Sequence, residues 1–339
     1  MNDAFQRVGL VVNSTAGASP EHCFHAAGQA IAALGASTVV TGPGSLGESA
    51  FKTSAPQVEL LPCDPSAGRH ATRMLARLLA DSELQTVVVV GGDGTMADVA
   101  GVFMGLPHQP DILGIGTGST NAGALVTCLA DELAKLDRRS LRKHQLDTLE
   151  VNVSDGPSAI AFNDIVFSTT VVGTINGELV DLDATALLGG DFEPAQPLGI
   201  GTQRTRVRVI GVDSDSLLSS GQDICTIVIG FAEQTFRAKA ITGGICLANH
   251  VGFRAGCLVA DQPIAYFGAT ADSLLADGPI HTSFLGLDAD DTVLVSGIKN
   301  GAVVCADGNP VAKLNESTKV RVRTRPAAIT ALTMQEHDQ

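Results

Sequence analysis

A carboxylate set among glycines is the first group in this sequence able to do chemistry. Thr86–Val90 reads as a strand buried on both faces; it runs directly into Gly91-Gly92-Asp93-Gly94-Thr95, and a helix is expected from Met96 to Met104. Glycines at such a turn let backbone N–H groups approach a phosphate that the helix N-terminus also attracts. Asp93 does not belong to simple anion binding, because its charge repels phosphate unless a cation intervenes or the carboxylate is there to take a proton. The plainer alternative is that Asp93 caps the helix and the glycines only permit the turn.

Other segments carry weaker signals. The polar loop Asn13-Ser14-Thr15-Ala16-Gly17 follows a first strand, Val8–Val12. Gly116-Thr117-Gly118-Ser119-Thr120-Asn121 follows another, Ile112–Ile115, and serves either as a ligand loop or as a strand-to-helix connection capped by Ser119 or Thr120. Asn163 and Asp164 interrupt an apolar, strand-like run, as residues at a pocket edge or at a bulge do. Thr242-Gly243-Gly244 would bring backbone close to a ligand or simply turn the chain, and Arg237 and Lys239 just before it are the first candidates for phosphate-binding cations. Asp307-Gly308 is a preferred two-residue hairpin turn, and its structural reading is the favoured one. Arg204, Arg206 and Arg208 alternate on one strand face and read as solvated, as do His22 and His25 on a helix.

These residues need a scaffold, and the first ~145 residues supply one by alternating short apolar runs with helical stretches, the pattern of a Rossmann-like parallel sheet wrapped by helices in three layers. Ser19-Pro20-Glu21 opens a helix, Val39–Thr41 and Val58–Leu61 are strands, and Ser66–Leu79 has helical spacing. From about residue 146 helical periods become scarce. Leu149–Val153 and Ala159–Phe167 form a hairpin around Asp155-Gly156-Pro157, and Arg204–Ile210, Ile224–Phe231, Thr292–Val295, Val303–Cys305 and Lys319–Arg323 read as strands of an all-β sandwich. Ile175–Gly201 shows no clear period. The expected division is residues 1–145 for phosphate binding, 146–325 for the acceptor, and 326–339 as a C-terminal tail.

A formal net charge of −14 gives no reason to expect nucleic acid or an anionic membrane as partner. Seven scattered cysteines without a Cys-x-x-Cys point to reduced thiols rather than disulfides or zinc, so no resident metal site is expected. No basic-then-apolar leader opens the chain and no apolar run reaches the ~18 residues of a membrane span. A cytoplasmic location follows as the expectation.

Gly91-Gly92-Asp93-Gly94-Thr95 resembles the signature of the NAD kinase and diacylglycerol kinase superfamily, and the other pieces fall in that superfamily's order. Asn13–Gly17 resembles its early nucleotide-binding loop, Gly114–Asn121 its second glycine-rich loop, Ala161-Phe162-Asn163-Asp164-Ile165-Val166 its Asn-acidic acceptor motif, and Ala306-Asp307-Gly308-Asn309 its closing β-segment. Within the superfamily the chain looks most like the acetoin-catabolism X proteins. The resemblance implies an ATP-dependent kinase with Mg2+ bridging the phosphates, and with Asp93 as the general base acting on a hydroxyl of NAD or of a small hydroxylated metabolite. Gly91, Gly92, Gly94 and Thr95 would hold phosphate; Asn13, Ser14, Gly116, Thr117 and Asn121 would line the nucleotide; Asn163, Asp164, Thr242, Gly243 and Gly244 would meet the acceptor. It also implies a homo-oligomer. The dinucleotide stretch of NAD kinases ends in Ser-Thr-Ala-Tyr, whereas Ala240-Ile241-Thr242-Gly243-Gly244-Ile245-Cys246 lacks that tyrosine, which points toward a different acceptor. Two other readings remain: a non-catalytic nucleotide-binding regulator linked to acetoin catabolism, and a lipid kinase-like enzyme.

Overall fold

A computed structural model describes residues 5–17, 19–51, 56–118, 121, 123–175, 178–231, 248, 251–264 and 278–334. The chain divides into two compact units, residues 1–147 with 327–339, and residues 148–326.

The first unit is built on β1 (Arg7–Val12), α1 (Pro20–Leu34), β2 (Thr38–Thr41), β3 (Gln57–Leu60), α2 (Arg69–Ala80), β4 (Thr86–Gly91), α3 (Asp93–Phe103), β5 (Asp111–Gly116) and β6 (Val126–Leu129). Its sheet runs β5-β4-β1-β2-β3 with every neighbouring pair parallel. Every residue of β4 and β5 is buried, as strands covered on both faces require. α1 begins where Ser19 accepts a hydrogen bond from the His22 amide and Pro20 fills the first turn; it ends at Gly35 in the left-handed region (φ 68°). Its buried face, Cys23, Ala26, Ala27, Ala30, Ile31 and Leu34, packs with Leu10, Val12, Val88, Val90, Leu113 and Ile115 of the sheet. Alanine supplies half of that face, so helix and sheet pack closely, with Phe5, Phe24 and Phe51 partly buried against the same core.

The second unit contains the antiparallel strands. After β7 (Leu141–Val153) come β8 (Ser158–Ala161), β9 (Asp164–Ser168), β10 (Thr170–Ile175), β11 (Glu178–Asp183), the one-and-a-half-turn helix α4 (Ala184–Gly189), β12 (Arg206–Ile210), β13 (Asp215–Ser220) and β14 (Thr226–Phe231). β15 (Ala255–Ala260), β16 (Thr282–Leu287), β17 (Thr292–Ser296), β18 (Val303–Ala306), β19 (Asn309–Lys313) and β20 (Lys319–Met334) complete the order. One layer is the six-stranded sheet β16-β15-β14-β9-β18-β19. The other places β12 between β13 and β17, with β17 against the Lys319–Arg323 end of β20. Val207, Val209, Val293, Val295, Val320 and Val322 point inward from it onto Ile165, Phe167, Ile227, Ile229 and Cys257 of the first layer, forming a continuous sandwich core.

Three expectations need correction. Ala159–Phe167 is not one strand: β8 ends at Ala161, and β9 begins at Asp164 in the other layer. The helix expected from Met96 starts at Asp93, so Asp93, Gly94 and Thr95 are its first turn and Gly92 is its N-cap. Residues 326–339 are not a tail as far as Met334, because β20 continues through them; Ala331 pairs with Ile112 of β5, and Leu332 is buried in the first unit's core. Pro326 obscured that continuation, since proline ordinarily interrupts a strand.

Candidate functional site

In the first unit three loops meet at the ends of β1, β4 and β5. Thr95 sits in the first turn of α3, buried, and its Oγ1 accepts a 2.8 Å hydrogen bond from the Asn13 side-chain amide. The Asn13 backbone N–H donates to Val90 O at 2.9 Å, while Asn13 Oδ1 accepts from the Thr15 backbone and hydroxyl and so closes the loop that carries Ser14. Thr117 joins the same assembly: its N–H donates to Gly91 O at 3.0 Å and its hydroxyl to Ala16 O at 2.9 Å. Cys23, from α1, also donates to Ala16 O.

Asp93 lies where α3 begins, and its Oδ1 accepts from the Gly123 N–H at 2.9 Å. A Cβ built on Gly123 would stand 2.7 Å from that oxygen, so only glycine lets this backbone reach the carboxylate. A similar close approach brings the two glycine-rich loops together, since a Cβ on Gly118 would lie 3.0 Å from the Gly92 Cα. Asn121 takes a left-handed conformation (φ 47°), donates through Nδ2 to Gly118 O, packs its side chain against Gly116, and leaves Oδ1 buried without a hydrogen-bond partner among the described residues. Gly91, Gly92, Asp93, Gly94, Thr95, Gly116, Thr117, Asn121, Asn13 and Ser14 therefore form one cluster of loops around the N-terminus of α3. The first amides of a helix lack intrahelical partners and carry its positive dipole end, so this cluster can hold an anion.

The second unit holds the other group. Between β8 and β9 the backbone turns at Phe162-Asn163, and the Asp307 carboxylate fastens it there. Asp307 Oδ2 accepts from the Phe162 N–H at 2.7 Å, and Oδ1 accepts from the N–H groups of Asn163 at 2.7 Å and Asp164 at 3.2 Å. In return the Asp307 N–H donates to Asp164 O at 3.0 Å. Asp307 and Gly308 have φ 46° and 72°, as a tight hairpin between β18 and β19 requires. Burial pushes the Asp307 carboxyl up to about 7 against the three amide donors, and the neighbouring charge of Asp164 adds to the rise. Asn163 is 9% exposed, and its Oδ1 is buried without a partner among the described residues.

Thr242, Gly243 and Gly244, with Arg237, Lys239, Ser119 and Thr120, lie outside the described residues. Arg208 pairs with Asp215, Arg204 with Glu316, and Arg206 donates to carbonyls of its own strand region, in keeping with a solvated face. No group of three or more His, Cys, Asp or Glu able to hold a metal occurs among the described residues, and the six cysteines described are all free thiols. Sequence reasoning missed Gly123 and the anchoring role of Asp307. Gly123 carried no motif, and Asp-Gly is explained well enough by its turn.

Residues 7–151 match the family model described as the diacylglycerol kinase catalytic domain. An uncharacterized protein of Archaeoglobus fulgidus is 29% identical over 232 residues, covering 68% of this chain and 69% of that protein. Among solved structures, a putative diacylglycerol kinase from Bacillus anthracis superposes with a TM-score of 0.55 at 12% identity, covering 97% of both chains. Yeast NADH kinase, solved in complex with NADH, does so with a TM-score of 0.53 at 12% identity, covering 99% of this chain and 85% of its own. No helix among the described residues is long and apolar enough to cross a membrane.

Proposed function

The chain having the two-domain fold of the NAD kinase and diacylglycerol kinase superfamily, we propose that it is an ATP-dependent phosphotransferase that moves the γ-phosphate to a hydroxyl of NAD or of a small hydroxylated metabolite, with Asp93 as the general base. The observation that carries this reading is the Asp93 carboxylate, held by the Gly123 amide inside a cluster of glycine-rich loops and the uncharged side chains of Asn13, Thr95, Thr117 and Asn121. Phosphoryl transfer asks the protein chiefly for positioning and charge stabilisation, and oriented amides supply both without reorganising during the reaction. A binder of phosphate alone would be weakened by a carboxylate at that point.

The residues fit ATP and Mg2+. Mg2+ is usually held by one or two carboxylates together with substrate phosphates and water, so the lack of a three-ligand cluster among the described residues does not oppose it. The Asp93 carboxylate and Asn121 Oδ1, the latter without a hydrogen-bond partner among the described residues, are oxygens that would serve Mg2+ on the first unit's loops, and bound Mg2+ would offset the charge of the phosphates. The amides at the start of α3 and the Thr95 region would orient the triphosphate. Asn13, by fixing Thr95, would keep the first turn of the helix in register with β1. Asn163 and Asp164 would meet the acceptor, the unsatisfied Asn163 Oδ1 taking a hydrogen bond from a hydroxyl.

The match of residues 7–151 to the diacylglycerol kinase catalytic domain supports a second reading, a lipid-type alcohol as acceptor. The motif order, which resembles that of the acetoin-catabolism X proteins, supports trying a small hydroxylated metabolite as acceptor. Titration calorimetry with ATP and with NAD, each with magnesium, followed by a coupled assay for NADP and by assays with diacylglycerol in mixed micelles, tests these readings. Transfer to any of these alcohols that disappears in Asp93→Asn supports the phosphotransferase. Binding of ATP that Asp93→Asn leaves intact, with no transfer to any acceptor, identifies a regulator instead, and failure to bind ATP sinks the proposal.

A further inference from the structure

The Asn163-Asp164 corner is set from outside its own strand. Phe162, Asn163 and Asp164 turn the chain from one layer of the sandwich into the other, which leaves three consecutive N–H groups without strand partners on that side; all three converge on the one carboxylate of Asp307, at 2.7, 2.7 and 3.2 Å. Buried amides without acceptors are costly, so the carboxylate determines the path the backbone takes. Asn163 O is engaged as well, accepting from the Phe231 N–H at 3.1 Å, so the peptide planes on both sides of Asn163 are fixed. With the backbone fixed, Asn163 Oδ1 stays buried without a partner among the described residues, an arrangement that a structural asparagine would relieve by rotating toward a donor.

We propose that Asp307 is a positioning residue: through the amides of Phe162, Asn163 and Asp164 its carboxylate holds the Asn163 and Asp164 side chains in the orientation in which they receive the acceptor. The acceptor part rests on the reading given above for Asn163 and Asp164; the anchoring part does not. A type I′-like hairpin turn alone would be served equally by asparagine, which tolerates a positive φ as well as aspartate does. Asparagine, however, presents an NH2 group where one carboxylate oxygen accepts, so it cannot satisfy all three amides. Asp307→Asn therefore separates the turn from the anchor.

The test measures amide hydrogen exchange at Phe162, Asn163 and Asp164, the side-chain amide resonance of Asn163, and the dissociation constants of NAD and ATP, in the full chain. In the wild type the three amides should exchange as slowly as those of β9; exchange at loop rates overturns the proposal without any variant. In Asp307→Asn, and in Asp307→Ser should the first not fold, their exchange should accelerate at least tenfold, the Asn163 resonance should shift, and NAD should bind at least tenfold more weakly with ATP affinity unchanged. An unshifted Asn163 resonance, or NAD and ATP affinities falling together, refutes positioning. If the wild type binds ATP but not NAD, NAD is not the acceptor, while exchange and the Asn163 resonance still decide whether Asp307 sets the corner.

Discussion

The Asn13 side-chain amide donates to Thr95 Oγ1 across 2.8 Å, tying the loop after β1 to the first turn of α3 although 82 residues separate them in sequence. Two neighbouring strands of the sheet are thereby braced at the end where the glycine-rich turn must keep its shape. Thr95→Val keeps the side-chain volume and removes the acceptor, leaving a part-buried amide unpaired at a cost of about 1–2 kcal/mol. Lower denaturation midpoints and a roughly tenfold weaker ATP affinity, the equivalent of about 1.4 kcal/mol, are expected. Calorimetry and urea melts check both, and unchanged ATP binding would detach this contact from the proposed phosphate site.

Gly123→Ala should damage turnover more than binding. The added methyl would stand 2.7 Å from Asp93 Oδ1, so the carboxylate must move off its amide. Misplacing a general base costs about 10²–10⁴ in rate, whereas the amides at the start of α3 remain to bind ATP. Steady-state kinetics beside ATP titration measures the split; equal losses in kcat and ATP affinity would contradict it.

Asp98 offers a stability test remote from the loops. It is 8% exposed and accepts from both Arg69 and Arg73, which lie on α2 and are about half exposed. Asp98→Ala leaves two arginines facing each other without their carboxylate; because both can turn to solvent, the expected loss is about 1–3 kcal/mol, below that for a fully buried pair. Chemical denaturation measures it, and a change under ~0.5 kcal/mol would show that the contact is incidental.

Asp307 predicts a pH dependence with a definite sign. Its carboxyl is raised from 3.8 to about 7 in the folded chain, so between these values the folded state keeps a proton that the unfolded state has lost. This group's contribution to stability is accordingly greatest below about pH 4, falls as pH rises to about 7, and is level above. The difference in unfolding free energy between wild type and Asp307→Asn, followed from pH 4 to 8, should show that slope; a flat difference rules it out.

Much of this could be read from residue order alone. The parallel strands were legible because β4 and β5 are unbroken apolar runs, and α1 because Ser19-Pro20 and Gly35 mark its ends. The glycine-rich turn was legible as chemistry because Asp93 contradicts its neighbours. What stayed hidden lacks a period or depends on distant pairing. Ile175–Gly201 holds β11, hairpinned locally to β10, then the short α4 and residues 190–201 without helix or strand, so no simple alternation runs through it. The anchoring of Asn163 and Asp164 by Asp307 joins positions more than 140 residues apart, and neither segment carries a trace of the other.

The last strand imposes an order of events during synthesis. The first unit has its helices and all five of its principal parallel strands by Gly116, yet Ala331 and Leu332, which complete the flank of β5 and its core, are at the far end of the chain. β6 covers the Gly114–Gly116 end of β5 early, but until Ala331 and Leu332 leave the ribosome the flank beside Ile112 stays open while the whole second unit is made, on the order of ten seconds or more at about 5–20 residues per second. A chain stopped before residue 327 would thus fail in the half of the molecule that was translated first.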